Sequence, residues 1–394
     1  MDAIADGPAV SVSGTIRVLH VASGDGWGGA ERVIVQLVEE AQRDPDVVVE
    51  ALLFNEGRLS TALRALGVPV HIIREAGLSF PTLALHVRRW LAGRDFDVLH
   101  AHRYKEILLT EFARAPRRGG VVVTVHGLEP AAQLNWAQLP RVWGSLVVAV
   151  AGRARLVAVS GELQRRLAGA LGKRHVTRIS NPMRRVGVGA PAPDMRQQLG
   201  WARQRPVVGF VGRLEHVKGP DRFVEIAGRH GGNAGFVLIG GGRLEPTLRA
   251  RISTLGAAER VALLGEVPDA SGYMDQLDIL AITSRHEGLP LVTLEAAASN
   301  VPVVAFDVGG ISEVLDGGPA ARLVPPGDET GFLTAVEDML ADRAHLRDDV
   351  VRWSNAVRSR FEPSAVWSAY KRVYRDVAAN SRAHTGADVR CSTD

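Results

Sequence analysis

The sequence predicts an α/β protein built of two doubly wound domains, each a parallel sheet with helices on both faces. Three observations lead there. The chain has 394 residues, beyond the size at which one hydrophobic core stops growing. Short runs of Val, Ile and Leu alternate with amphipathic stretches along most of its length, which is the pattern of strand–helix–strand crossovers. That alternation lapses once, between residues 180 and 206, where Asn-Pro and then Gly187-Val-Gly-Ala-Pro-Ala-Pro193 mark a linker.

Residues 16–21 form the first apolar run, followed by the turn Gly24-Asp-Gly-Trp-Gly-Gly29 and a helix from about Ala30 to Gln42. Strand-like runs recur at 47–54, 68–72, 98–100, 121–125, 156–159 and 176–179, separated by helical stretches such as 82–91 and 106–114. A second series starts at 207–211 and continues through 236–239, 261–264, 278–282, 302–306 and 321–324. Near the end, Val366, Tyr370, Val373 and Val377 stand at helical spacing in 363–377, and the composition turns polar after Asn380. The expected division is a first domain at 15–185, a second at 186–362, a terminal helix at 363–380 and a disordered tail at 381–394. Open α/β sheets bind ligands outside the carboxyl ends of their strands, so a ligand is expected between the domains, at those ends of both sheets.

With 46% hydrophobic and 23% charged residues, the chain reads as a soluble globular protein. No apolar run approaches the length of a membrane span, and the longest candidate, 145–152, ends at Arg153. Residues 1–14 are acidic and small, unlike a secretory signal. The single cysteine, Cys391, excludes a disulfide framework within the chain and fits a cytoplasmic location. Net charge is +4, but residues 1–185 carry +7 and the remainder −3. Such a basic half suits an anionic lipid surface or an acidic substrate, and the lack of an aromatic-studded basic motif argues against nucleic acid.

The most informative stretch joins a strand, a polar turn and a helix start: Ser284-Arg285-His286-Glu287-Gly288-Leu289-Pro290-Leu291-Val292-Thr293-Leu294-Glu295-Ala296. Pro290 suits the first position of a helix, and the free amides of that first turn favour an anion or sugar hydroxyls. Glu287 and Glu295 lie about 10 Å apart along the chain at a 1.5 Å rise per helical residue, which suits two ends of one long ligand better than a hydrolytic pair. Upstream, Gly212, Arg213, Lys218 and Gly219 follow the first strand of the second domain. An arginine fork and a lysine there can stabilise a departing diphosphate without a metal. Gly240-Gly241-Gly242-Arg243 gives another glycine bend after a strand, allowing close backbone approach to a nucleotide. His100, His102 and His126 end neighbouring strands, but no Asp/Glu/His spacing completes a ligand set, so no metal site is expected. Gly24-x-Gly26-x-x-Gly29 matches the dinucleotide fingerprint and keeps a nicotinamide-dependent oxidoreductase in play. The acidic residue that fingerprint needs at the end of the second strand is missing, since Glu50 lies mid-strand and Glu56 falls 27 residues past Gly29.

Glu-Gly-x-Pro followed by Glu-Ala, in Glu287, Gly288, Pro290, Glu295 and Ala296, resembles the signature of family 4 retaining glycosyltransferases with the GT-B fold. That fold has two Rossmann-like domains facing each other across a donor-binding cleft. The resemblance implies a nucleoside diphosphate sugar donor, a hydroxyl acceptor and no metal or other cofactor. It further implies that Glu295 holds the ribose, while Glu287 and the amides of Gly288, Leu289 and Leu291 hold the sugar and distal phosphate. Gly212, Arg213 and Lys218 match the diphosphate loop, Gly28 and Gly29 a Gly-Gly-x-Glu loop near it, and His126 a position facing the sugar. Gly241, Gly265 and Val267 stand where the family approaches the nucleotide through its main chain. In such enzymes the terminal helix crosses back to the first domain. Asn181-Pro182-Met183-Arg184 departs from the usual Asn-Gly-Val-Asp, and Thr283 replaces the usual Pro. Many relatives extend lipid-linked sugars in polysaccharide or glycolipid synthesis, which suggests a peripheral contact with anionic membrane. The segment 134–155, with Trp136, Arg141, Trp143, Arg153 and Arg155, and the nearby Arg114, Arg117 and Arg118 are the candidates for it. A scaffold that binds the nucleotide without turnover is the remaining alternative.

Overall fold

Runs of branched aliphatic residues become strands when both faces of a sheet are covered, and here they do so twice. The computed structural model describes residues 14–113, 119–128, 138–184 and 192–390. The first sheet comprises β1 (Ile16–Ala22), β2 (Val47–Leu53), β3 (Val70–Ile72), β4 (Val98–Ala101), β5 (Gly120–Val125), β6 (Arg155–Ala158) and β7 (Val176–Arg178), in the order β3-β2-β1-β4-β5-β6-β7. The second comprises β8 (Val207–Val211), β9 (Gly235–Ile239), β10 (Val261–Gly265), β11 (Ile279–Ile282), β12 (Val303–Phe306) and β13 (Ala321–Val324), in the order β10-β9-β8-β11-β12-β13. The registered pairs are parallel, for example Val208 beside Phe236 and Ile279 beside Val208. Every residue of β9, β11 and β12 is buried.

The helices follow the strands as the alternation predicts. They are α1 (Gly29–Ala41), α2 (Arg58–Ala65), α3 (Phe80–Leu91), α4 (Tyr104–Ala113), α5 (Gln138–Ala151), α6 (Gly161–Leu171), α7 (Met195–Gln198), α8 (Pro220–Arg229), α9 (Glu245–Thr254), α10 (Ser271–Met274), α11 (Leu291–Ala298), α12 (Glu329–Ala341), α13 (Arg347–Arg360) and α14 (Pro363–Arg390). Their starts have local causes. Ser160 caps α6 by accepting from the Leu163 amide at 3.2 Å, and Asp328 caps α12 by accepting from Gly331 at 2.8 Å. No described helix is long and apolar enough to cross a membrane.

The chain divides into two compact units. Unit 1 is Met1–Thr124, Asn135–Leu156 and Trp367–Asp394; unit 2 is Val125–Leu134 and Val157–Val366. In unit 2, residues 157–184 are tied by long-range bonds. Glu313 accepts from the Gly161 amide at 2.5 Å and from Arg178 at 2.6 Å, and the Met183 amide donates to the Phe361 carbonyl at 2.9 Å.

In unit 1 the terminal helix is held by polar bonds as well as by its apolar stripe. Trp367 Nε1 donates to Asp44 Oδ2 at 2.8 Å, and Lys371 Nζ donates to Asp44 at 2.7 Å and to Asp46 at 2.8 Å. The backbone stays helical to Arg390, past the point where a disordered tail was expected. Residues 381–390 contain no proline, and a nucleated helix propagates at little cost. The last four residues lie outside the described part of the chain, as do residues 185–191 of the expected linker.

Asp44 makes this anchor pH-dependent. Burial alone would raise its pKa, but the Lys371 and Trp367 hydrogen bonds outweigh that and hold the carboxyl below its ordinary value. A folded pKa below the unfolded one stabilises fully above about pH 4, and the contribution is lost as pH falls through the folded value. Asp44→Asn should therefore lower hydrogen-exchange protection along residues 367–378 at pH 7, by about 1–3 kcal/mol. The gap to the unmodified protein should close below about pH 4; a gap that persists unchanged at pH 3 would contradict the assignment.

His20, His100 and His102 meet in the interior of unit 1, with candidate ligand atoms within 4.8 Å of one another. His126, grouped with two of them on sequence, belongs to unit 2. His100 has a hydroxyl at 2.8 Å on each ring nitrogen, from Tyr374 and Thr124, and Thr124 in turn meets the Tyr370 hydroxyl at 3.1 Å. Burial lowers His20 to about 3, so its ring is neutral. With both His100 nitrogens engaged, the cluster is a hydrogen-bonded core joining α14 to β4 and β5.

Candidate active site

In the second sheet the strand order reverses at β8, which has β9 on one side and β11 on the other. A reversal of this kind leaves a crevice at the carboxyl ends of the two central strands. The segments that follow β8 and β11 meet there. Lys218, in a 3-10 turn at His216–Lys218, places its ammonium 2.7 Å from each oxygen of Glu287. Ser284 Oγ donates to Glu287 Oε1 at 2.6 Å. Glu287 is only 7% exposed, so its charge is desolvated and depends on these partners.

The two segments are fastened at several further points. Thr283 Oγ1 donates to the Gly219 carbonyl at 2.7 Å, and the Arg285 amide donates to the Val217 carbonyl at 2.9 Å. The Arg285 guanidinium reaches the His216 carbonyl at 2.9 Å and forks onto Asp221 at 2.8 and 2.5 Å. Burial would raise the Asp221 carboxyl, but Arg285 more than offsets this and holds it below its ordinary value. Gly219 has φ +66°, and a Cβ there would fall 2.1 Å from the Thr283 carbonyl, so only glycine fits. Thr283, read from sequence as a departure from the usual Pro, thus supplies a hydroxyl that ties the Lys218 segment to the Glu287 segment.

Backbone approaches as close shape the rest of the turn. A Cβ on Gly288 would lie 1.9 Å from the His126 carbonyl, which puts His126 beside the Glu287 turn within unit 2. The Gly310 amide donates to the Gly288 carbonyl at 2.8 Å, and Asn181 Nδ2 donates to the Leu289 carbonyl at 2.8 Å. Pro290 is the cap residue of α11, with ψ 126°, and not its first helical residue as the spacing predicted. Its extended ψ turns the chain into the helix one residue later. Leu289 and Leu291 are buried, and Glu295 sits inside α11 at 5% exposure.

The other expected nucleotide positions stand at the ends of the adjoining strands. Gly212 follows β8 and donates to the Ile239 carbonyl at 3.0 Å, while Arg213 is exposed. The Gly241 carbonyl accepts from Leu214 at 2.9 Å, Gly265 closes β10 with φ +76°, and Val267 follows half-buried. Gly28 and Gly29 belong to unit 1, where Gly28 caps α1 and its amide donates to Glu31 Oε2 at 2.9 Å. Glu31 also pairs with Arg103. Ser284, Thr283, Arg285, Asp221 and Asn181 escaped the sequence reading as contributors to the site. Thr283 stands in the sequence only as a departure from the usual Pro, Asn181 only as the start of a departing segment, and Ser284 and Arg285 only as members of the quoted stretch, without a role.

Two family models match the chain, Glycosyltransferase Family 4 over residues 27–184 and Glycosyl transferases group 1 over residues 205–342. A phosphatidyl-myo-inositol mannosyltransferase of Mycobacterium leprae is 30% identical over 375 residues, covering 90% of this chain and 94% of that protein. The chain belongs to glycosyltransferase family 4. This glycosyltransferase is also 28% identical to a GDP-mannose-dependent alpha-(1-6)-phosphatidylinositol monomannoside mannosyltransferase of Mycolicibacterium smegmatis, over 80% of this chain and 86% of that one. The crystal structure of Anabaena HepE in complex with UDP-glucose matches it with a TM-score of 0.79 at 22% identity, covering 92% of this chain and 100% of that one. The fold of the glycosyltransferase is therefore GT-B, with two Rossmann-like sheets. Membership in the family displaces the oxidoreductase alternative. Geometry agrees, because Glu50, the nearest acidic candidate for a dinucleotide ribose, is occupied by Arg17 at 3.1 Å and His71 at 2.9 Å.

Proposed function

We propose that this glycosyltransferase moves a sugar from a nucleoside diphosphate sugar to a hydroxyl acceptor, with retained anomeric configuration and no metal ion. The observation that carries the reading is the Lys218–Glu287 pair, 2.7 Å at both oxygens, at the reversal point of the second sheet. An ammonium has three donors; two serve Glu287 and the third is left for a phosphate oxygen. In the proposed reaction the bond from the anomeric carbon to the diphosphate oxygen breaks as charge grows on the diphosphate. Arg213, Lys218 and the Gly288 amide stabilise that charge. The acceptor oxygen bonds to the anomeric carbon from the face the diphosphate leaves, and its proton passes to the departing phosphate. Glu287 and His126 orient the sugar, and Glu295 holds the ribose. Gly212, Gly241, Gly265, Val267, Leu289 and Leu291 offer backbone to the nucleotide.

Calorimetry with UDP, GDP, their sugar conjugates and NAD tests the reading. One sugar nucleotide should bind and be turned over in the presence of a hydroxyl acceptor. Binding of NAD alone would reject it.

For the acceptor we propose a glycolipid or lipid-linked saccharide of cell-envelope synthesis, reached from the cytoplasmic side by peripheral contact with anionic membrane. Two relatives carry phosphatidylinositol in their names. Residues 1–185 have a net charge of +7. In unit 1, Phe80 of α3 and Phe112 of α4 are 38% and 57% exposed with their rings edge to face, and Arg141 of α5 is exposed. Trp143 and Arg155 are partly covered and Arg153 is exposed, whereas Arg114, Arg117, Arg118 and Trp136 lie outside the described residues. Sedimentation with vesicles should require anionic lipid and weaken with salt. Indifference to lipid charge would point to a soluble acceptor.

A further inference from the structure

A narrow cavity opens beside Glu287 within unit 2, bordered by Leu128, Glu162, Arg166, His286 and Gly288. It has room for about one water-sized group. Its walls come from separate parts of the chain. Arg166, on α6, donates to the Leu128 carbonyl at 2.9 Å and stands 4.0 Å from Glu162. His286 comes from the turn that carries Glu287. Its Nε2 is buried and makes no hydrogen bond of good geometry, although the Leu128 backbone lies close enough to act on the ring. Burial, and after it the Arg166 charge, lowers the His286 pKa, so the ring is neutral near pH 7.

A buried ring nitrogen without a partner costs free energy, so a ligand that supplies one gains by it. The space sets the occupant's size, and the ring sets its chemistry. Nε2 of a neutral imidazole is a donor in one tautomer and an acceptor in the other, and a hydroxyl can answer both. A phosphate is too large for the space, and an apolar group would leave the nitrogen unpaired. We infer that this cavity receives one hydroxyl of the transferred sugar and that His286 Nε2 is its hydrogen-bond partner, which makes His286 a specificity-determining residue. The inference rests on the reading of Glu287 as the residue that faces the donor sugar.

The test is calorimetry on the full chain with UDP, GDP, UDP-glucose, GDP-mannose and the monodeoxy forms of whichever sugar nucleotide binds. His286→Phe should weaken that sugar nucleotide about five- to tenfold and change the parent nucleoside diphosphate by less than about twofold, as expected for one neutral hydrogen bond. One monodeoxy form should bind the unmodified protein and the variant alike, and His286→Gln should restore most of the loss. Equal weakening of nucleoside diphosphate and sugar nucleotide would overturn the inference, since His286 would then only support the turn. It would fall equally if the variant discriminated against every monodeoxy form as strongly as the unmodified protein does, a comparison that His286→Gln supplies if His286→Phe fails to fold. Failure of the unmodified protein to bind any sugar nucleotide would overturn the reading of the whole site along with it.

Discussion

Lys218→Ala should lower sugar transfer about 10²–10³-fold, the effect of removing one preorganised electrostatic donor from a developing oxyanion. The loss should fall on turnover, because the charge it answers grows as the diphosphate leaves. Transfer by the unmodified enzyme should survive a chelator, since in the proposed mechanism Arg213 and Lys218 provide the positive charge. The structure adds a complication. Lys218 is also the cation that neutralises Glu287, which is 7% exposed, so the variant strands a buried carboxylate. Lys218→Ala combined with Glu287→Gln relieves that burden and should recover stability without recovering transfer. Activity abolished by chelation and restored by a divalent ion would refute the electrostatic role, as would a Lys218→Ala enzyme within a few-fold of normal.

Glu295→Ala and Glu287→Ala should fail in different ways. If Glu295 holds the ribose as proposed, removing it deletes charge-assisted bonds and should weaken nucleotide binding by about 1.5–3 kcal/mol, or about 10- to 150-fold. Removing Glu287 should lower turnover while nucleoside diphosphate affinity is kept or rises. The second half of that expectation comes from geometry: Glu287 occupies Lys218 at 2.7 Å on both oxygens, and its loss frees the ammonium for phosphate. Binding by calorimetry and turnover measured on the same preparations separate the two quantities. Equal and small effects of both substitutions would end this division of labour.

The positions of the candidate site's two central charges could be read in the chain. Lys218 and Glu287 each follow a run of branched aliphatics, flanked by Gly219 and by Gly288 and Pro290, and strand ends with such turns are where α/β proteins bind ligands. Their partnership could not be read, because 69 residues separate them and nothing local says that β8 and β11 are neighbours. Asp221 and Arg285 look like two solvated charges until the same adjacency turns them into a fork at 2.8 and 2.5 Å. Resemblance alone places His126 at the sugar; what the structure shows is that its carbonyl lies where only a glycine at 288 leaves room.

By itself the sequence determined the element types, the two doubly wound sheets, and the glycines and charges at the strand ends. Hydrophobic period, turn chemistry and capping act across a few residues and are written locally. Only the tertiary structure decided that Thr283 and Arg285 clamp the Lys218 segment, that Lys218 neutralises Glu287, and that His286 borders a cavity with its Nε2 buried and unpartnered. Those outcomes depend on strand order and on burial. Burial strips water from a polar group and makes its nearest neighbour decisive, and which neighbour that is follows from the packing of distant segments.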